Sequence, residues 1–159
     1  MIKLDFALNP YISPGSDPDW LLIVMEYSAF KGFTTFIIDD VDFSNSIPIL
    51  WLAWHFRRTY RWIKLGTLPY AFYNDEQAYG FKFTKSGEQI EIIGPWYGSD
   101  EKTISKGCSD RALVPANDFK IATRSYYRRA YKACINLCPP MKTSPKMQAW
   151  LYQDFLVKK

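Results

Sequence analysis

One histidine and three cysteines carry the nucleophilic, proton-moving and soft-metal chemistry open to this 159-residue chain: His55, Cys108, Cys134 and Cys138. A lone imidazole excludes a two-histidine metal centre within one chain. His55 stands between Trp54 and Phe56, with Trp51 one helical turn back. No nucleophile is specified beside it, so it reads as a packing histidine of a helix and not as a general base. Nothing around Cys108 or His55 supports a pairing of the two. Cys134 and Cys138 are four residues apart and share one face of a helix, but the second pair of ligands that tetrahedral zinc needs is missing. Three cysteines cannot form a fully paired disulfide framework, and reduced thiols fit a cytoplasmic protein.

The carboxylates are equally unpromising as a catalytic set. Asp39-Asp40-Val41-Asp42 looks like an oxygen-ligand cluster, yet the glycine and distal glutamate of a calcium loop are absent, and a turn at the end of a strand accounts for it. Glu88 and Glu91 fall at odd and even positions of one strand, so they face opposite sides and make no acid/base pair. No G-x-G-x-x-G, Walker or G-x-S-x-G pattern occurs. The expectation is a protein without a catalytic centre, metal or cofactor, which binds another macromolecule.

Charge and aromatic residues then become the informative features. Hydrophobic residues make up 48% of the chain and aromatic ones 18%, more rings than a small core needs, so some are expected at the surface. Residues 1–46 hold two basic and seven acidic residues, whereas residues 102–159 hold twelve basic and three acidic, a separation that gives two surfaces of opposite sign. Asp17 and Asp19 beside Trp20, with Asp39, Asp40 and Asp42, form an acidic candidate face suited to a basic protein such as a nuclease. Turn and cap chemistry explains the same residues. Trp96 and Tyr97, after Pro95 in a long connection, are candidate contact anchors. Lys120, Arg124, Arg128, Arg129 and Lys132, with Tyr127 and Tyr131 between them, form a basic face that suits phosphates and stacked bases; the alternative is a solvated helix face whose arginines pair with acidic residues of the sheet.

These residues must be held by a fold, and the periodicities outline one. Ile2, Leu4, Phe6 and Leu8 alternate as in a half-buried strand. Residues 9–18 are rich in turn formers, and 21–29 and 33–38 form a predicted hairpin about Phe30-Lys31-Gly32. Ser44 to Pro48 supply a cap and first turn for a helix whose stripe is Ile49, Leu52, Ala53, Phe56, Tyr60 and Ile63, with Gly66 at its end and Arg57, Arg58, Arg61 and Lys64 on its outer surface. Strands at 70–73, 79–84 and 88–93 make a meander, followed by a long loop from 94 to 114. A second helix starts near Asn117 or Asp118, carries Phe119, Ala122, Tyr126, Ala130, Ala133 and Leu137 inward, and stops at Pro139-Pro140. A short third helix is predicted over 144–157. Together these give a single α+β domain spanning residues 1–159: a mainly antiparallel sheet of about six strands with two or three helices packed on one face. No apolar run is long enough for a membrane span, and the first residues do not read as a secretory signal.

The run Pro48-Ile49-Leu50-Trp51-Leu52-Ala53-Trp54, the strand at Tyr70 to Asn74, the segment Phe81 to Trp96 and the Val114-Pro115 entry to the helix bearing Phe119, Ala122 and Tyr126 together resemble a bacterial immunity protein of contact-dependent inhibition and related polymorphic toxin systems. The resemblance covers residues 20–137 and rests on residue order, without an invariant motif. It implies a cytosolic protein that binds one cognate toxin domain and blocks its active site or substrate access, with no catalysis of its own. Many such proteins that neutralise basic nucleases are acidic, whereas this chain has a net charge of +4.

Overall fold

The computed structural model describes residues 1–9, 30–67, 69–74, 79–96, 110–145 and 148. The alternation at the start of the chain forms β1 (Ile2–Leu8), whose even-numbered residues are half-buried and whose odd-numbered ones are exposed. It pairs antiparallel with β2 (Lys31–Ile38), Ile2 opposite Ile38 and Leu8 opposite Gly32.

The other edge of β2 is occupied by a strand broken in the middle. β3 (Val41–Asp42) pairs with Ile37 and Ile38, and β4 (Asn45–Pro48) pairs with Lys31 through Thr34. Between them Phe43 donates its N–H to Phe36 O at 2.7 Å, and the Phe36 N–H reaches Ser44 Oγ at 3.0 Å. This corrects two expectations. Ser44 does not cap a helix, because the nearby edge of β2 takes its hydroxyl as an acceptor. Lys31 and Gly32 do not turn a hairpin, because they lie in β2, and both edges of β2 are already filled. Gly32 is small for a different reason: a Cβ there would lie 2.2 Å from Ala7 O and 2.8 Å from Ile49 Cγ1. The predicted strand at 21–29 lies outside the described residues.

Helix α1 (Ile49–Leu65) follows β4 directly, its first N–H bonded to Phe30 O at 2.9 Å. Gly66 ends it in the left-handed conformation at φ 69°, as the sequence predicts. The order of the meander is as predicted, β5 (Tyr70–Asn74), β6 (Tyr79–Ser86) and β7 (Gln89–Trp96) pairing in sequence, but the turn expected at Lys85-Ser86-Gly87 is Gly87-Glu88, because Lys85 and Ser86 pair with Ile90 and Gln89. Beyond expectation, a fourth strand, β8 (Asp110–Pro115), adds to β7, so the connection predicted as a loop ends in the sheet. Its Ala112 and Val114 turn toward the core, and Arg111 and Leu113 turn away. β8 runs straight into α2 (Ala116–Leu137), which gives way at Cys138 to a 3-10 turn, Pro139–Thr143. Neither Asn117 nor Asp118 caps α2; Pro115 precedes its first residue, and the Ala116 N–H bonds to Glu88 O at 3.0 Å. Of the predicted third helix, the described residues retain one bond, Gln148 N–H to Ser144 O at 2.9 Å.

The class is α+β with antiparallel pairing, and the eight described strands divide into two four-stranded sheets in place of one sheet of about six. Phe36 from β2 joins them: its ring meets Phe43, Phe56, Phe81 and Phe119 at centroid distances of 5.2 to 6.3 Å. Phe56 of α1 and Tyr126 of α2 meet edge to face at 5.1 Å in the same cluster. Truncating a ring this enclosed costs about 3 to 5 kcal/mol, and so the two sheets and two helices share one core.

Candidate interaction surface on the helix layer

Of the four residues with nucleophilic or proton-moving potential, His55, Cys134 and Cys138 are packed inward, and Cys108 lies outside the described residues. His55 is buried on α1, its ring stacked on Phe72 at 4.2 Å and met edge-on by Trp51 and Trp54. Its Nδ1 lies 2.8 Å from the Tyr70 hydroxyl. Burial, with Arg58 nearby, pushes the imidazole down to about 3, and burial pushes the Tyr70 phenol up to about 12. Both rings are therefore neutral near pH 7 and share one hydrogen bond, an arrangement for holding position. Cys134 and Cys138 are buried free thiols, and desolvation raises the pKa of Cys134, which keeps it a thiol and a poor nucleophile. Among the described residues no group of three or more His, Cys, Asp or Glu is placed to hold a metal ion.

The acidic candidates are partly committed within the chain. Asp39 sits in the turn after β2 at φ 51° and pairs with the amino group of Met1. Asp42 accepts the Ser44 N–H at 2.8 Å, and its hydrogen bonds to Ser44 hold its carboxyl below the usual range. This is the turn chemistry weighed in the sequence, and it leaves Asp40 exposed beside them. Trp96 closes β7 opposite Gly80, and so belongs to a strand and not to the loop. Asp17, Asp19 and Tyr97 lie outside the described residues.

On α2 the five basic candidates separate. Arg129 reaches across to β1: Nη1 bonds Asp5 Oδ1 at 2.6 Å, Nη2 bonds Leu4 O at 2.9 Å, and the guanidinium lies 5.5 Å from the Phe6 ring. Asp5 also accepts the Phe6 N–H at 2.9 Å. Two backbone groups on the side of β1 away from β2 are thereby satisfied, so Arg129 guards a strand edge. The Arg129 bond, with that N–H, holds the Asp5 carboxyl below its ordinary value. Arg124, Arg128 and Lys132 are exposed, Lys120 is half-buried, and none of these four pairs with an acidic described residue. Tyr127 and Tyr131, placed between them as base-stacking rings, are instead buried, Tyr127 against Tyr60 at 6.1 Å. The reason is the packing of α1 on α2: it turns the Tyr127, Tyr131 and Cys134 side of the helix inward and leaves Leu137, predicted inward, exposed.

The feature the sequence reading missed lies on α1. Trp54, Arg58 and Trp62 follow one another at intervals of four and so form a stripe. Tyr70 of β5 joins them. Arg58 lies over the Trp54 ring at 4.6 Å and the Tyr70 ring at 5.4 Å, and Trp62 stacks with Tyr70 at 5.9 Å and 15°. All three rings are half-buried, while Arg58, Arg61, Lys64 and Leu65 are exposed. Arg57, expected on this outer surface, is buried. α1 contains no acidic residue and α2 only Asp118, against nine lysines and arginines in the two helices. The two helices therefore form a basic layer. The four-residue spacing was the available signal; Tyr70 had none, because its approach is made by the β5 strand. Comparison of the chain with protein-family models, with curated proteins and with solved structures returns no match.

Proposed function

We propose that this chain is a toxin-neutralising immunity protein, which binds a cognate toxin domain through its basic helix layer and blocks that domain's active site or its access to substrate. The observation that carries this reading is the Trp54, Arg58, Trp62 and Tyr70 cluster beside the exposed cations Arg61 and Lys64 of α1. Tryptophan, tyrosine and arginine are the residues that dominate binding energy at protein interfaces. The inward packing of His55 and Cys134 and the resemblance of the residue order to immunity proteins support the same reading. Binding through the helix layer places complementary acidic charge on the toxin, in keeping with a chain that is basic overall.

The test is whether a toxin domain is encoded immediately upstream of this chain and, on co-expression, whether the chain neutralises it; the absence of such a gene overturns the proposal. Restored growth and co-elution of the two chains as one complex are the expected results. Growth arrest that persists with the chain expressed and folded overturns the proposal. The RNA-binding alternative retains Lys120, Arg124, Arg128 and Lys132 but loses its stacking tyrosines to the core and Arg129 to β1. RNA affinity that falls steeply with salt and disappears on joint replacement of Arg124, Arg128 and Lys132 by alanine would favour it over the inhibitor.

A further inference from the structure

Arg58 differs from its exposed neighbours Arg61 and Lys64 on α1 in being held against aromatic rings. Its guanidinium lies against Trp54 and Tyr70, and Tyr70 is itself fixed by the hydrogen bond to buried His55 and by stacking on Trp62. A guanidinium attracted to ring faces still carries its planar set of N–H donors, which the rings do not satisfy as conventional acceptors. Among the described residues none of these donors has an acceptor: Arg58 makes no hydrogen bond or ion pair there. Arg61 and Lys64 extend the positive charge along α1, and exposed Leu65 supplies an apolar contact at its end.

We infer that Arg58 is a preorganised docking fork for a carboxylate of an acidic protein segment, received on the α1 and β5 surface formed by Trp54, Arg58, Trp62, Leu65 and Tyr70. This rests on the reading of the chain as a protein-binding inhibitor and names the chemistry its partner presents. A carboxylate matches two parallel N–H donors in geometry and charge. The side-chain entropy of fixing an arginine, a large part of the cost of an exposed ion pair, is partly spent already where Arg58 lies against Trp54 and Tyr70. Phosphate fits the same fork, but nucleic acid gains most of its sequence-tolerant affinity from bases stacked on open aromatic faces. Here Trp54 and Tyr70 are taken up by Arg58, Trp62 and His55, so an acidic protein segment is the better match.

The full-length chain is titrated with a short peptide of repeating Glu-Leu-Asp and, separately, with oligouridylate, following the Arg Nε–H and Trp indole N–H signals by NMR. The peptide is expected to shift the signals of Arg58, Trp54 and Trp62. Arg58→Lys keeps the charge but loses the fork and the stacking; it should weaken the peptide by about tenfold, a change typical of an interface anchor. Lys85→Ala on β6 removes an exposed charge outside the helix layer and should leave peptide affinity within about twofold. Arg58→Gln serves as a second variant, and the dispersion of the amide spectrum verifies that each is folded. Peptide shifts spread evenly over the basic residues, equal affinity in Arg58→Lys, or tighter binding of oligouridylate at this patch would each overturn the inference. The two proposals fail separately: a toxin neutralised equally well by the Arg58→Lys variant removes the fork and leaves the inhibitor. Peptide binding at Arg58 without toxin neutralisation removes the inhibitor and leaves the fork.

Discussion

Lowering the pH from 7 to 5 is expected to remove about 2 kcal/mol of folding stability through one side chain, since each unit of pKa difference between folded and unfolded states is worth about 1.4 kcal/mol. His55 titrates near 6.5 when unfolded and near 3 in the fold, because protonation would place a charge between Phe72, Trp51 and Trp54 and beside Arg58. Above pH 6.5 both states are neutral there and the full stability is present. Between 6.5 and 3 the unfolded chain takes up a proton that the folded chain refuses, so stability falls as the pH falls. The window is clean because His55 is the only histidine. Asp5 and Asp42, whose carboxyls are held below 3.8, lose their contributions at lower pH. Urea unfolding followed by tryptophan fluorescence at constant ionic strength measures the slope. His55→Phe keeps a ring against Phe72 but leaves the Tyr70 hydroxyl without its partner; it should start about 1 kcal/mol less stable and lack the slope. A wild-type stability that is flat from pH 7 to 5, or the same slope in His55→Phe, would refute the burial argument.

Gly32→Ala is expected to destabilise by about 2 kcal/mol or more, since the new Cβ must displace the backbone oxygen of Ala7 and with it the pairing of β1 on β2; thermal unfolding measures it. Thr34→Val removes the 2.7 Å hydrogen bond to the buried Tyr126 hydroxyl and should cost about 1 to 3 kcal/mol, with Thr34→Ser recovering much of it. Peptide mapping after treatment of the native protein with a maleimide should find Cys134 and Cys138 unmodified, and both should react once the chain is unfolded in urea. Arg129→Ala is expected to lower stability by no more than about 1 kcal/mol, because its pair with Asp5 is solvent-exposed. Amide exchange of Phe6 should nevertheless rise, as the carboxylate that accepts its N–H is no longer held.

The residue pattern by itself determined the elements whose signals are local. Alternation fixed β1 and the β5 to β7 meander, a three-and-four spacing ended by Gly66 fixed α1, and Pro139-Pro140 bounded α2, because in each the hydrophobic period and the terminating residue lie within one segment. The packing role of His55 was legible from the aromatic residues around it in the sequence, Trp51, Trp54 and Phe56. Tertiary structure decided what depends on distant partners. Ser44 carries the same hydroxyl in a cap or a broken strand, and the open edge of β2 chose the strand. Asp110–Pro115 is too short for its alternation to stand out until β7 supplies the pairing. Tyr127 and Tyr131 follow basic residues on α2 as stacking platforms would, yet α1 covers that side. The Arg58 stripe is written at 54, 58 and 62, but only the approach of β5 brings Tyr70 beneath the guanidinium and turns a mobile surface cation into a fixed one.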